Sequence, residues 1–160
     1  MRMPDNQKEK ITMVQSETSP EREPALPRLT AVADIGHAVL SESGKHWVCG
    51  MYFLLDGMAY PSHRWNDFAD VLLPWWLAEC SQKKRTYRFR FMDGPYEMTV
   101  TDLGGDRMEA CFDGQTAVCS GQRLMGSIVD AAKRLLKQYE AAGFDGEATA
   151  ALRRAIRNVE

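Results

Sequence analysis

Alternating apolar and polar side chains mark the most regular part of the chain. In residues 87–92 (YRFRFM) three aromatic residues alternate with two arginines and a methionine. Residues 96–101 and 108–113 repeat the alternation, residues 116–119 form a shorter apolar segment, and Asp-Gly or Gly-Gly pairs separate the segments. Because successive side chains of a strand point to opposite faces, the pattern predicts a meander of three or four antiparallel strands with one apolar face.

Two further apolar segments precede this meander. Residues 30–40 (TAVADIGHAVL) are apolar and partly β-branched, and residues 47–55 (WVCGMYFLL) are almost continuously apolar. Turn-forming residues at 41–45 join them. The two segments predict an antiparallel hairpin, whose second strand lies centrally in a sheet or is covered on both faces.

A helix with a bulky apolar face is predicted over residues 63–82. Trp65, Phe68, Leu72, Trp76 and Cys80 recur there at spacings of three and four. Pro74 lies inside this segment, and an interior proline removes one helical hydrogen bond. We therefore expect a kink or a break near Leu73.

Two more helices are predicted at the end of the chain. Residues 122–142 carry an apolar stripe and are followed by Gly143, in the position where the end of a helix favours glycine. The last helix covers about residues 145–158, where small and aliphatic residues again share one face.

The resulting order, ββα-βββ(β)-αα, is typical of an α+β fold. We expect one antiparallel sheet of about five to six strands with the helices packed on one face, and an opposite face that meets solvent or a partner. Residues 30–160 would form this single domain. Residues 1–29 hold four of the seven prolines and no aromatic residue, which predicts a flexible N-terminal arm.

Composition narrows the functional classes. The 160 residues carry 20 basic against 22 acidic side chains, a net charge of −2 that argues against a general nucleic-acid binder. No apolar stretch approaches the roughly 18 to 20 residues of a membrane span, and the first ten residues lack the apolar centre of a signal peptide. We therefore expect a cytoplasmic protein without a membrane partner.

The sequence shows no signature of a catalytic, metal or cofactor site. No histidine stands four residues from another histidine or from a cysteine, and Gly104-Gly105 lacks the pattern of a phosphate-binding loop. We predict no catalytic residues, no metal and no cofactor. The cysteines are few and form no CxxC pair, which predicts reduced thiols at Cys49, Cys80, Cys111 and Cys119.

Charge is unevenly distributed around the first strand of the meander. Residues 83–90 contain five bases and no acid, whereas residues 93–113 contain six acids and one base. One interpretation is structural, because Arg88 and Arg90 would lie across from Glu97 and Thr99 on the exposed sheet face. The other is a charged surface that selects a protein partner.

Eight residues are candidates for that partner-binding surface. The adjacent tryptophans belong to them because neighbouring residues on a helix are about 100° apart, so one of the two should be exposed. A nucleic-acid surface using Tyr87 and Phe89 as stacking platforms is less favoured, because the alternation turns both rings towards the core. The candidates are Arg88, Arg90, Asp93, Glu97, Asp102, Asp106, Trp75 and Trp76.

Two motifs carry a family resemblance. The first consists of Tyr60-Pro61, the WxDF residues Trp65, Asp67 and Phe68, and the later Trp75; the second is FMDGPY at 91–96. Over roughly residues 47–136 the chain resembles small cytosolic bacterial immunity proteins of polymorphic-toxin systems. The resemblance implies a non-enzymatic protein that protects its producer by binding a cognate toxin, often by occluding the toxin's active site. If that toxin is a nuclease, the acidic region 93–113 would imitate phosphate.

Two other functions remain open from the sequence. A small enzyme could use Asp56 and Asp93 as general acid and base, with a histidine, in a cleft beside the helix that contains Pro74. Turn chemistry also explains both aspartates, since each precedes glycine at a predicted element boundary. Alternatively, the chain could be a structural subunit that forms a homodimer or larger homo-oligomer through its free sheet face or edge.

Overall fold

The computed structural model describes residues 25–160. Within this range the chain forms two antiparallel sheets and three helices, so the predicted α+β class is confirmed. Most of the predicted N-terminal arm, residues 1–24, lies outside the described residues. Within the described residues, the first strand begins at Leu29, the last residue of that predicted arm.

The first sheet is built around its third strand. Its strands are β1 (Leu29–Ala33), β2 (Val39–Leu40), β3 (Trp47–Leu55), β4 (Met58–Tyr60) and β5 (Asn66–Phe68). Strand β3 pairs along one edge with β1 and then β2, and along its other edge with β4 and then β5, always antiparallel. The predicted hairpin and the central position of residues 47–55 are therefore confirmed.

The predicted strand over residues 30–40 is wrong in its middle. The amide of Asp34 still donates to the carbonyl of Gly50 at 2.9 Å, but Ile35–His37 then form a turn of 3-10 helix. This turn buries the side chain of Ile35 in the core. Pairing with β3 resumes at Val39 in a shifted register.

The three helices are α1 (Ala69–Cys80), α2 (Gly121–Ala141) and α3 (Glu147–Val159). Ser120 caps the start of helix α2, because its hydroxyl accepts from the amide of Arg123. Gly143 follows the end of the helix at φ 78°, as predicted.

The predicted start of the first helix is wrong by six residues. Residues 66–68 pair with β3 as strand β5, so Trp65 and Phe68 lie outside α1. Pro74 lies inside α1, and the helix continues through Leu73 without the predicted break. Helical spacing alone did not reveal that the backbone of residues 66–68 is needed to cover an edge of β3.

The second sheet is the predicted meander. Its strands β6 (Thr86–Arg90), β7 (Glu97–Gly104), β8 (Arg107–Phe112) and β9 (Gln115–Ser120) lie side by side in that order. The prediction of one continuous sheet is wrong. Side chains join the two sheets instead: the ring of Phe53 lies 5.8 Å from that of Phe89 and 5.7 Å from that of Phe91.

One core lies between the helices and the apolar faces of both sheets. Helix α1 packs on β3 and β6, α2 packs on β1, and α3 packs on the other two helices. Burying a large apolar side chain in such a core contributes roughly 1.5–3 kcal/mol. The largest fully buried side chains include Phe53, Trp76, Phe89, Met98, Leu124 and Leu135. The opposite faces of both sheets carry no helix within residues 25–160.

No helix within residues 25–160 is both long enough and apolar enough to cross a membrane.

Candidate protein-binding surface

The side of the second sheet that faces away from the core, here called the outer face, is polar. Strand alternation places eleven residues there, and all of them are exposed or half-buried. In strand order they are Thr86, Arg88, Arg90, Glu97, Thr99, Thr101, Arg107, Glu109, Cys111, Thr116 and Val118. The outer face is therefore an open polar surface with basic residues along its β6 side.

The predicted cross-strand arrangement of charges is confirmed. Arg90 pairs in register with Glu97, and its Nε lies 2.9 Å from the Glu97 carboxylate. An exposed pair of this kind is worth about 0–1 kcal/mol, so it sets register more than stability. Arg88 pairs in register with Thr99, and no carboxylate within residues 25–160 lies within 4.0 Å of its guanidinium.

A groove of about 580 Å³ runs between α1 and β6. It brings together four of the predicted partner-binding residues: Trp75, Trp76, Arg88 and Arg90. The side chain of Trp75 is 47% exposed whereas that of Trp76 is fully buried, which confirms that one of the two adjacent tryptophans is exposed. This α1–β6 groove is lined by Trp75, Trp76, Ala78, Glu79, Lys84, Arg88, Arg90 and Phe91.

Side chains of α1 occupy the free edge of β6 at the floor of this groove. The carboxylate of Glu79 accepts from the amide of Arg88 at 2.9 Å, and the indole Nε1 of Trp76 donates to the carbonyl of Arg90 at 2.9 Å. Sheet edges attract other strands unless something covers them. Helix α1 therefore prevents another strand from pairing with β6, so a ligand in the groove would be held through side chains.

Glu79 lies in a positively charged setting. Partial burial alone would raise the pKa of its carboxyl, but hydrogen bonds from Lys84 and from the amide of Arg88, with the charges of Lys84 and Arg90, lower it below the usual value. The Lys84 ammonium lies 2.8 Å from the carboxylate. The sequence reading missed Glu79 and Lys84, although Glu79 stands four residues after Trp75, on the same side of the helix.

The predicted acidic residues do not form one patch. Asp93 lies in the exposed turn between β6 and β7, near Glu97, whereas Asp102 lies five residues further along β7, about 17 Å at strand spacing. The Asp106 carboxylate accepts from the amide of Gln122 at 2.7 Å and from the hydroxyl of Ser120, at the start of α2. Asp106 thus stabilises a helix terminus, where negative charge is favourable.

The motifs behind the family resemblance form the junction between the two sheets. Asp67, which is 5% exposed, accepts from the indole Nε1 of Trp65 at 3.0 Å, from the amide of Phe68 at 2.8 Å and from the amide of Met92 at 3.1 Å. One carboxylate thereby links WxDF to FMDGPY. These motif residues therefore have a structural role.

Tyr60 makes a second link at the same junction. Its hydroxyl donates to the carbonyl of Glu97 at 3.3 Å and accepts from the Glu97 amide at 3.1 Å. Burial raises the pKa of this hydroxyl. Its ring packs against Phe112 with centroids 4.9 Å apart, so the tyrosine connects β4 to both β7 and β8.

Asp56 and Asp93 lie far apart. Asp56 follows the end of β3 at Leu55 and accepts from the amide of Arg28, whereas Asp93 shares a depression with Val48, near the start of β3. At roughly 3.3 Å per residue, about 23 Å of strand separates Val48 from Leu55. The fold does not bring the two aspartates into one cleft.

The outer side of the first sheet carries another depression of about 580 Å³. It brings together Asp34, Tyr52, His63 and Arg134, with the rings of Tyr52 and His63 5.6 Å apart. The charged groups have structural partners: Asp34 bonds to His37 at 2.9 Å, and Arg134 donates to the carbonyl of Ala33. These contacts provide no arrangement of a nucleophile with a base.

The cysteines are free thiols, and most are shielded. Burial raises the pKa of Cys49 and Cys119 to about 11 and that of Cys80 to about 12. Because the thiolate is the reactive form, these three cysteines are poor nucleophiles. No group of three or more His, Cys, Asp or Glu side chains in residues 25–160 is placed to bind a metal ion.

Comparisons with protein-family models, with curated proteins and with solved structures found no match to this chain.

Proposed function

We propose that this chain is a non-enzymatic protein-binding module of the immunity type, which neutralises a cognate bacterial toxin by direct binding. The observation that carries the proposal is the α1–β6 groove beside the open outer face, where half-exposed Trp75 lies with Arg88. Tryptophan and arginine are the residues most often found at the energetic centre of protein interfaces. The charged rim formed by Lys84, Arg90 and Glu97 would favour the correct partner.

The fold favours this function over the enzymatic alternative. An enzyme using Asp56 and Asp93 requires both carboxylates within reach of one substrate, and they lie near opposite ends of β3. The homo-oligomer would use the same outer face or a sheet edge. The mass of the purified protein in solution would distinguish such a homo-oligomer from a protein that binds a different chain.

Co-expression tests the proposal directly. Genes adjacent to the one for this chain are expressed singly in a sensitive host, and any product that stops growth is then expressed together with this chain. The proposal predicts one toxic neighbour, restored growth on co-expression, and a stoichiometric complex after purification of both. A toxic neighbour that remains toxic and does not co-purify would contradict the proposal.

Surface variants connect the rescue to the proposed surface. Trp75→Ala combined with Arg88→Glu should abolish rescue, because both removed side chains are exposed at the groove. Arg107→Glu is the matched control, an exposed arginine of the outer face that lies in β8, which β7 separates from β6 and the groove. Rescue that survives the double variant would place the interface elsewhere.

A further inference from the structure

The α1–β6 groove carries an excess of positive charge. Three cations, Lys84, Arg88 and Arg90, face two carboxylates, those of Glu79 and Glu97. Lys84 and Arg90 are each paired with one of these acids. Among the groove residues, and counting only partners within residues 25–160, Arg88 is therefore the cation left for a ligand. A planar guanidinium suits a carboxylate, with which it can form two parallel hydrogen bonds.

Trp75 supplies an apolar surface next to this cation. It is the exposed member of the tryptophan pair, and it lines the same groove as Arg88. Such a ring can pack against the aliphatic or aromatic part of a bound side chain with little loss of conformational entropy. The groove thus offers one anionic and one apolar subsite side by side.

The blocked edge of β6 restricts how a ligand can bind. An extended peptide would add to a free edge through its backbone, but Glu79 and Trp76 already bond to the amide of Arg88 and the carbonyl of Arg90. Recognition in the groove must therefore depend on side chains of the ligand.

From this geometry we infer, resting on the proposed function, that the α1–β6 groove binds an acidic exposed segment of the partner protein. A carboxylate of that segment pairs with Arg88, and a neighbouring apolar side chain packs on Trp75. The same chemistry would direct association through charge, so binding weakens as salt is raised.

A protein segment fits the groove better than a nucleic acid does. A phosphate backbone requires a series of unpaired cations, whereas Glu79 and Glu97 offset two of the three cations here. The aromatic residues of β6, Tyr87 and Phe89, are buried and offer no stacking platform for bases.

A random peptide library displayed on phage tests the inference without knowledge of the partner. The immobilised full-length protein should enrich peptides that combine Asp or Glu with an apolar residue. Enriched peptides are then synthesised, and their affinity is measured by calorimetry. A single-stranded oligothymidylate and a peptide with Lys in place of Asp and Glu serve as comparison ligands, and both should bind at least tenfold more weakly.

Four variants define the groove in the same assay. Arg88→Glu and Trp75→Ala should each weaken binding of the acidic peptides about tenfold or more, since each removes one of the two subsites. Arg88→Gln removes the positive charge without introducing a carboxylate that Glu79 would repel. It should also weaken binding. Arg107→Glu should change affinity less than twofold.

Three results would overturn the inference: no enrichment, enrichment of neutral or basic peptides, or tighter binding of the oligonucleotide. Unchanged affinity of Arg88→Glu would reject the groove as the site. The co-expression experiment fails or succeeds independently. Restored growth with no selection of acidic peptides would reject only the groove, whereas acidic-peptide binding without rescue would reject only the immunity function.

Discussion

The carboxylate of Asp67 in β5 accepts a hydrogen bond of 3.1 Å from the amide of Met92, which follows β6. The two residues belong to different sheets and lie 25 positions apart. The same oxygen accepts from the indole of Trp65, whose ring packs against Tyr96 with centroids 5.0 Å apart. The buried carboxylate of Asp67 therefore helps to fix the relative position of the two sheets at this junction.

Replacing that acid should destabilise the fold. Asp67→Asn introduces a donor where three N–H groups now converge, so at least one of them loses its acceptor. A buried group left unpaired in this way costs about 1–3 kcal/mol, and we expect that loss in the free energy of unfolding by urea. Asp93→Asn, in the exposed turn nearby, is the control and should stay within about 0.5 kcal/mol. Equal effects of the two substitutions would contradict the role of Asp67.

Substituting the two adjacent tryptophans should have opposite effects: Trp76→Ala should mainly reduce stability, and Trp75→Ala should mainly reduce binding. Trp76→Ala removes a fully buried side chain and its bond to the Arg90 carbonyl, and should cost about 3–5 kcal/mol. Trp75→Ala removes a half-exposed side chain and should cost less than about 1 kcal/mol while weakening partner binding. Denaturant unfolding of both variants measures the difference. A large loss of stability in Trp75→Ala would show that this side chain belongs to the core.

Glu79 should make stability depend on acidity. Its pKa is lower in the folded protein than in the unfolded chain, so its contribution is present above the ordinary carboxyl pKa and is lost as pH falls through the folded value. Glu79→Gln should therefore cost about 1 kcal/mol near pH 7, and this cost should decrease as the pH is lowered below the ordinary carboxyl pKa. Unfolding of both proteins across this range measures the difference.

Glu109→Gln is the matched control for that series. Glu109 is exposed on the outer face, without an ion pair within residues 25–160. Its loss should cost less than half as much as that of Glu79 near pH 7. A cost for Glu79→Gln that does not decrease at all as the pH falls below the ordinary carboxyl pKa would contradict the electrostatic role of Glu79.

Thiol reactivity reports whether the outer face is open. Cys111 is half-buried on that face opposite Thr99, whereas Cys49, Cys80 and Cys119 are held as thiols by burial. A disulfide reagent at pH 8 should modify one thiol of the native protein, and Cys111→Ser should remove that reaction. Rapid modification of several thiols, or of none, would contradict an open outer face above a closed core.

Much of the fold follows from short-range patterns, and the departures have physical causes. The meander was predictable because alternation and Gly-containing turns agree from Tyr87 to Phe112. The start of α1 was not, because Trp65 and Phe68 have helical spacing while their backbone is needed to cover β3. Pro74 did not end the helix, since packing of α1 on β3 and β6 outweighs one missing hydrogen bond.

The candidate site was predictable only in part. Trp75, Arg88 and Arg90 follow from exposure and alternation, and the structure brings them into one groove. Asp102 and Asp106 belong to the same acidic stretch of the sequence as Asp93 and Glu97. The extended strand β7, however, places the two ends of that stretch far apart in space. The division into two sheets depends on long-range contacts such as Asp67 with Met92, which leave no local pattern.

Hydrogen exchange with the partner bound tests the central claim most directly. Exchange is measured by mass spectrometry on the free protein and on the complex with the toxin found by co-expression. We expect slower exchange in the segments over residues 75–91, which form the α1–β6 groove, and little change in the β1–β2 region of the first sheet. Protection confined to the first sheet, with residues 75–91 unchanged, would contradict the account.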